Sequence, residues 1–280
     1  MQIITDPKLL QQTCLRWRAD GVRTALVPTM GYYHAGHESL MRHARTLGEK
    51  LVVTLFVNPT QFGPEEDLEA YPRDLERDAA VAEACGADIL YVPRPEDMYA
   101  DDHATWIEVP KLAGTMCGVT RPVHFRGVCT VVMKLLMLAM PNVAVFGQKD
   151  WQQLAIIRRM VRDLNVPVEI VGQPIVREGD GLALSSRNVY LTNAERAAAP
   201  HIHASMLMAQ DLVRSGQRDA ETVKAAIRAY LQEHFPLAKE DYLVLVHPET
   251  LEAVEHISGP TLCATAMFVG KARLIDNMLL

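Results

Sequence analysis

No run of eighteen apolar residues occurs in this sequence, so no segment is long enough to cross a bilayer as a helix. The start, MQIITDPKLL, has neither the basic stretch nor the apolar run of a secretory signal. Cysteine is sparse: Cys14, Cys85, Cys117, Cys129 and Cys263 are scattered, odd in number and free of any CxxC spacing. That pattern argues against both a disulfide framework and a structural zinc site. A basic excess is also missing. The formal net charge is −6, which opposes a broad attraction to nucleic acid or an anionic membrane, so any phosphate must be met locally. Internal repeats, low-complexity tracts and blocks of like charge are absent, and nothing points to a disordered arm. These absences give the expectation of a cytoplasmic protein with reduced thiols and no nucleic-acid or membrane partner.

What is present is core-forming material. With 280 residues, 49% of them apolar and 22% charged, the protein can bury one large core or two modest ones. Short β-branched runs alternate with helical patterns. TALVP (24–28), LVVTLFV (51–57), DILYV (88–92), VAVF (143–146) and VEIV (168–171) read as strands of a parallel sheet covered on both faces. Between the first two, Leu40, Met41, Ala44 and Leu47 mark one face of a helix; after the fourth, Leu154, Ile157, Val161 and Leu164 repeat the spacing. The pattern predicts an α/β fold, a doubly wound, Rossmann-like parallel sheet, over residues 1–175. From about residue 192 the texture changes: a capping box Thr192 to Glu195, helices broken at Pro200, and alternating runs DYLVLV and TLCATAMFVGKARLI. A smaller C-terminal α+β domain over 176–280 follows. Pro174, Gly179 and Gly181 at the boundary suit a hinge, although turn residues between any two elements look the same.

Three clusters carry chemistry. Pro28-Thr29-Met30-Gly31-Tyr32-Tyr33-His34-Ala35-Gly36-His37 lies where a strand runs into a helix, the place where α/β sheets bind ligands. A helix N-terminus attracts anions, and two imidazoles three residues apart can donate to the same phosphate. A metal pair and two ordinary surface histidines are the alternatives at this point; no HExxH pattern or nearby Cys completes a ligand set. Phe146-Gly147-Gln148-Lys149-Asp150-Trp151-Gln152-Gln153 repeats the strand-to-helix geometry. Lys149 and Gln153 are expected to share a helical face, and Asp150 either accepts from ribose hydroxyls or merely caps. A lysine at a positive helix end is unfavourable without an anion, which marks a site. Leu184-Ser185-Ser186-Arg187-Asn188 offers hydroxyls and a guanidinium fork for phosphate, with a small polar turn as the plain alternative. No GxSxG elbow makes either serine a nucleophile. Asn58-Pro59-Thr60-Gln61-Phe62 and Arg121-Pro122-Val123-His124-Phe125-Arg126-Gly127-Val128 are polar without local need, and either line a pocket or cap a neighbour.

These clusters, in this order, resemble the pantoate-β-alanine ligase family. PTMG-x-x-H-x-G-H, NPTQFG, YPRD, RP-x-HF-x-GV, FGQKD-x-QQ and DGLA-x-SSRN match from Pro28 to at least Leu191, and the ending ARLIDN is similar too. The HxGH element also resembles the wider nucleotidyl-transferring superfamily that includes class I tRNA synthetases. The resemblance implies ATP-dependent joining of pantoate to β-alanine through a pantoyl adenylate, with pyrophosphate and then AMP released, Mg2+ accompanying the ATP, and a homodimer. By that analogy His34, His37, Lys149, Ser186 and Arg187 hold phosphates, with Ser185 beside them. Gly147 and Asp150 lie near ribose and adenine, and Met30 borders the nucleotide. Gln61 and Gln153 fix pantoate, while Met30, Val131 and Val132 contact its methyl groups. Asn58 and His124 join the substrate-binding set, and Asp78 is the metal candidate, through water. Tyr33, Val123 and Trp151 depart from the commoner pattern and bear on pocket shape. The implied chemistry needs no enzyme nucleophile, which suits a site of His, Lys, Arg and Gln. The need to exclude water from a reactive adenylate suggests that the C-terminal domain acts as a lid, moved about residues 174–181 and led by Arg187. Two rivals remain: another small-molecule nucleotidyltransferase, which frees no AMP, and a non-catalytic nucleotide sensor.

Overall fold

The computed structural model describes residues 1–64 and 68–280. Six strands, β1 (Gln2–Ile4), β2 (Thr24–Thr29), β3 (Lys50–Leu55), β4 (Ile89–Tyr91), β5 (Val143–Gly147) and β6 (Glu169–Gln173), form one sheet in the order β1-β4-β3-β2-β5-β6. Every pairing in it is parallel. Five strands fall where the β-branched runs place them. The sixth, β1, is three residues long, too short to show a period, and is held by its register on β4, with Ile3 opposite Leu90.

The winding reverses at β2. On one side the polypeptide steps outward through β3 and β4; on the other lie β5 and β6. Ligands of such sheets bind where neighbouring strands lead away in opposite directions. A proline sharpens that crevice. The β2 to β5 ladder pairs Ala25 with Val143 and Leu26 with Ala144, and Pro28, which has no N–H to donate, lies two residues beyond.

Among the described residues, five helices of ten residues or more accompany the sheet: α1 (Pro7–Ala19), α2 (Ala35–Leu47), α3 (Leu75–Ala84), α4 (His124–Ala139) and α5 (Trp151–Asp163). Asp6 caps α1 by accepting from Lys8 N–H, and Pro7 occupies the first helical position, where a missing donor costs nothing. In α2 the apolar stripe buries Met41 and Ala44. Twelve of the 16 residues of α4 are buried, so this helix is apolar nearly all round and packs within the unit, against α1 and the 3-10 turn Pro59–Gln61. The stripe on α5 is shorter than its spacing suggests. Leu154, Ile157 and Val161 are buried, but the helix ends at Asp163 and Leu164 is 53% exposed.

Two compact units make up the molecule, one comprising Met1–Gln148 with Ile156–Pro174 and the other Lys149–Ala155 with Ile175–Leu280. The first turn of α5 therefore groups with the second unit. That unit contains an antiparallel sheet of β7 (Lys239–Val246), β8 (Leu262–Val269) and β9 (Ala272–Leu279), with helices α6 (Asn193–Ala198), α7 (His201–Arg214) and α8 (Ala220–His234). Thr192 and Glu195 form the expected capping box of α6, and Pro200 separates α6 from α7. Met206, Val223, Ile227, Cys263 and Val269 are among its buried core.

One partly buried carboxylate ties the start of the large sheet together. Asp88 accepts from Lys50 Nζ at 2.8 Å, Arg45 NH1 at 2.8 Å and Leu51 N–H at 2.9 Å. Burial alone would raise its pKa, but the Lys50 bond, the Leu51 N–H and the Arg45 charge together bring it below the ordinary carboxylate value. A lowered folded pKa contributes stability above the unfolded pKa, and that stability is lost as pH falls through the folded value. Asp88→Asn is expected to lose about 1–2 kcal/mol of stability at neutral pH. The gap to the parent protein should narrow below about pH 4, as measured by thermal unfolding across a pH series.

Candidate active site

The end of β2 is held in an uncommon shape by a carboxylate from α3. Gly31 and Tyr32 have φ of +86° and +52°. Their turn presents the N–H groups of Tyr32 and Tyr33 to Asp78, which accepts them at 2.6 and 2.8 Å. Glycine is required twice at position 31: for the left-handed φ, and because a Cβ would sit 2.9 Å from Asp78 Oδ2 and 3.0 Å from Leu55 Cγ. Arg77, the neighbour of Asp78, donates to Tyr33 C=O at 2.9 Å. Both oxygens of Asp78 thus serve the loop. This geometry gives Asp78 a structural task in shaping the loop.

The same loop delivers two oriented imidazoles. His34 is the N-cap of α2, and its Nδ1 accepts from Gly36 N–H at 3.1 Å. His37 Nδ1 accepts from His34 N–H at 3.3 Å. A ring nitrogen that accepts carries no proton, so in the neutral rings both protons are assigned to Nε2. The rings lie 4.2 Å apart, centroid to centroid, at the positive end of the helix. Gly36 makes this possible, since a Cβ there would come within 2.8 Å of the His34 ring. Behind them Tyr33 is buried, 5.5 Å from the His37 ring centroid, with its hydroxyl on Thr29 Oγ1 at 3.1 Å. Burial raises the Tyr33 pKa, only partly offset by that hydroxyl.

A second group of predicted residues forms one buried polar network. Gln61 is 7% exposed; its Oε1 accepts from Asn58 Nδ2 at 3.1 Å and its Nε2 donates to Met30 Sδ at 3.1 Å. Asn58 Nδ2 also donates to Gly127 C=O at 3.1 Å, and His124 Nδ1 lies 2.9 Å from Gln61 C=O. The network's members beyond the predicted site residues include Thr60, which donates to Asn58 Oδ1 at 3.0 Å, Tyr99 and Arg121. Tyr99 donates to Asn58 Oδ1 at 2.9 Å, and Arg121 lies 3.3 Å from His124 Nε2. Tyr99 sits in a loop with no local signal, whereas Arg121 stood in a motif already singled out. Val131 and Val132 are buried on α4, which packs against this turn. The approach is close enough that a Cβ on Gly127 would lie 2.5 Å from Thr60 C=O.

At the end of β5, Gly147 faces open space: a Cβ there would meet nothing within 4 Å. Its Cα needs no glycine for packing, which leaves room for a ligand beside the backbone.

The remaining candidates belong to the second unit. Lys149 and Asp150 lie in a 3-10 turn, Gln148–Asp150, ahead of α5, so Lys149 and Gln153 do not share a face of one helix as their spacing suggested. Trp151 is anchored by Nε1–H donation to Pro248 C=O at 2.8 Å. Ser185 caps the 3-10 turn Ser186–Tyr190 by accepting from Arg187 N–H, and Ser186 and Arg187 are half-buried within it. Lys149, Ser185 and Asn188 line one small pocket. Among the described residues no group of three His, Cys, Asp or Glu side chains converges as a metal cage.

The family model described as Pantoate-beta-alanine ligase matches residues 2–279. A pantothenate synthetase of Nitratidesulfovibrio vulgaris (strain DSM 19637 / Miyazaki F) is 70% identical over 280 residues, covering 100% of this chain and 99% of the relative. The crystal structure of pantothenate synthetase from Thermus thermophilus superposes with a TM-score of 0.93 at 43% identity, covering 99% of each chain. The pantoate-beta-alanine ligase of Francisella tularensis, solved in complex with beta-gamma ATP and beta-alanine, superposes with a TM-score of 0.80 at 31% identity. That match covers 100% of this chain and 97% of the other.

His34 caps a helix as well as presenting a donor, so two substitutions separate the roles. His34→Ala should lower stability by about 1 kcal/mol, whereas His34→Asn, a good N-cap, should keep the parent's unfolding midpoint. Gly127→Ala should cost about 1–3 kcal/mol through overpacking against the Gln61 turn. Calorimetric melting of the three variants checks both expectations.

Proposed function

This chain belongs to the pantoate-β-alanine ligase family, and we infer from that membership that it condenses pantoate with β-alanine using ATP, a ligase reaction of pantothenate biosynthesis. At residue level the observation that carries the reading is the pair of Nε2–H donors at the winding reversal of the sheet, their tautomers fixed by helix-capping bonds.

The reaction divides into two displacements. The pantoate carboxylate attacks the α-phosphorus of ATP, giving pantoyl adenylate and pyrophosphate; the amine of β-alanine then attacks the activated carbonyl and AMP leaves. Negative charge grows on phosphate oxygens in the first step and on the carbonyl oxygen in the second. Fixed donors stabilise such charge without reorganising, which suits a protein that contributes no nucleophile. We assign His34 and His37, on the first unit, to the phosphates, together with the N–H groups that open α2. Lys149, Ser186 and Arg187 are also assigned to phosphate binding, with Ser185 shaping their turn. Gly147 offers its open face to the nucleotide, and Asp150 is assigned to ribose.

Gln61 is proposed to recognise pantoate, and Gln153 is assigned to the same substrate. Asn58, His124 and Met30 hold the Gln61 amide or its turn in one orientation. A buried amide fixed in this way discriminates, because an acid lacking the matching hydroxyl would leave its second N–H without a partner. Val131 and Val132 are assigned to the methyl groups of pantoate. Mg2+ is proposed to arrive with ATP. This ion prefers phosphate oxygens and water to an all-protein cage. Homodimerisation and a cytoplasmic location are proposed on family resemblance; among the described residues no helix is long and apolar enough to span a membrane.

Incubation with ATP, Mg2+, pantoate and β-alanine should yield AMP only when all are present. Pyrophosphate release without AMP would indicate a nucleotidyltransferase instead, and no turnover a sensor. His34→Asn, correctly folded, should slow pantoate-dependent pyrophosphate release by roughly 10²–10³. Unchanged adenylate formation would remove His34 from the phosphate site.

A further inference from the structure

Strand β9 breaks its own pattern. Ala272 and Leu274 are buried and Arg273 and Ile275 half-buried, in the alternation of a strand with one covered face, but the next two residues are both buried. Asp276 is 4% exposed and Asn277 is 6% exposed. Consecutive side chains leave a strand on opposite faces, so two buried polar neighbours each need their own partner.

The partners lead to the two cationic elements of this unit. Arg177 meets the Asp276 carboxylate with both terminal nitrogens, at 2.6 and 2.9 Å, and also donates to Gly181 C=O at 3.1 Å. Arg177 opens a short hairpin, bridged to Ala183 and closed by Glu178 N–H on Leu182 C=O, which runs directly into Ser185, Ser186 and Arg187. Asn277 takes the other direction: its Nδ2 donates to the backbone carbonyl of Lys149 at 2.9 Å. Lys149, Ser185 and Asp276 line the same pocket, and all of these residues lie in the second unit.

We propose that Asp276 and Asn277 are positioning residues for phosphate handling. Asn277 fixes the backbone from which Lys149 extends, and Asp276, through Arg177, fixes the hairpin that carries Ser185 to Arg187. One dipeptide thereby sets the spacing between the lysine and the serine-arginine element. The proposal rests on the assignment of Lys149 to phosphate.

The test is a mutant cycle on the full-length protein: Asn277→Ala, Lys149→Ala and the double variant, read by pantoate-dependent pyrophosphate release per folded enzyme, with melting points alongside. Asn277→Ala should lower the rate about tenfold, the scale of one lost hydrogen bond to a functional group. In the Lys149→Ala background the further loss should be under about twofold, because a residue acting through Lys149 has nothing left to position. An unchanged rate in Asn277→Ala, or equal losses in both backgrounds, overturns the proposal and leaves Asn277 a purely structural residue. Normal adenylation by Lys149→Ala overturns the assignment of Lys149 itself, a separate failure. Asn277→Ser, polar but too short to reach the carbonyl, serves the same cycle if the alanine variant does not fold.

Discussion

A carboxylate buried to 1% exposure cannot be left without partners, and Asp78 finds them in the N–H groups of Tyr32 and Tyr33. Leaving such a charge unpaired would cost several kcal/mol, so α3 docks with its carboxylate in place only if the loop after β2 turns to meet it. Turning demands positive φ at Gly31 and Tyr32, and space that glycine alone leaves at position 31. The loop so bent ends in an extended residue, His34, which becomes the N-cap of α2. The orientation of both imidazoles follows from that cap. A single buried carboxylate on α3 therefore shapes the loop to which phosphate binding is assigned.

The larger fold was legible because strands buried on both faces must be apolar, and β-branched residues mark them whatever their partners. Where an element depends on its neighbour, that signal fails. Gln2–Ile4 becomes a strand only because β4 offers an edge, and three residues carry no period. Leu164 fits the helical spacing but follows the end of α5, and spacing alone does not say where a helix stops. The turn at Gln148–Asp150 is similar: a lysine at a supposed helix start is, in the structure, in a 3-10 turn whose carbonyl is held from β9.

At the site, residue types were legible and their bonds were not. Two histidines flanking a glycine at a strand-to-helix junction suggest an anion site with a metal pair as alternative, but the proton on Nε2 is set by which N–H each Nδ1 accepts, a property of the folded loop. Gln61 was visible as a polar residue without local need. Its fixed orientation required Asn58 in its own segment together with Met30 and the unmarked Tyr99, brought from distant segments. Asp276-Asn277 did carry a sequence signal, two polar residues interrupting an alternating strand, yet their partners at 177 and 149 are about a hundred residues or more away.

Structural and functional explanations of one residue are often set against each other, and this protein shows why that opposition misleads. A donor stabilises a developing charge only if its direction is fixed before the charge appears. In a small protein the simplest way to fix a side chain is a hydrogen bond it already makes to the backbone. His34 caps α2 with one ring nitrogen and thereby aims the other; Gln61 is held by its neighbours in one orientation, the property its proposed role in pantoate recognition needs. The cap and the ligand are the same residue because the cap is what orients the ligand. Truncation to alanine removes both at once, so it reports their sum, and substitutions that keep the structural bond are needed to isolate the chemical one.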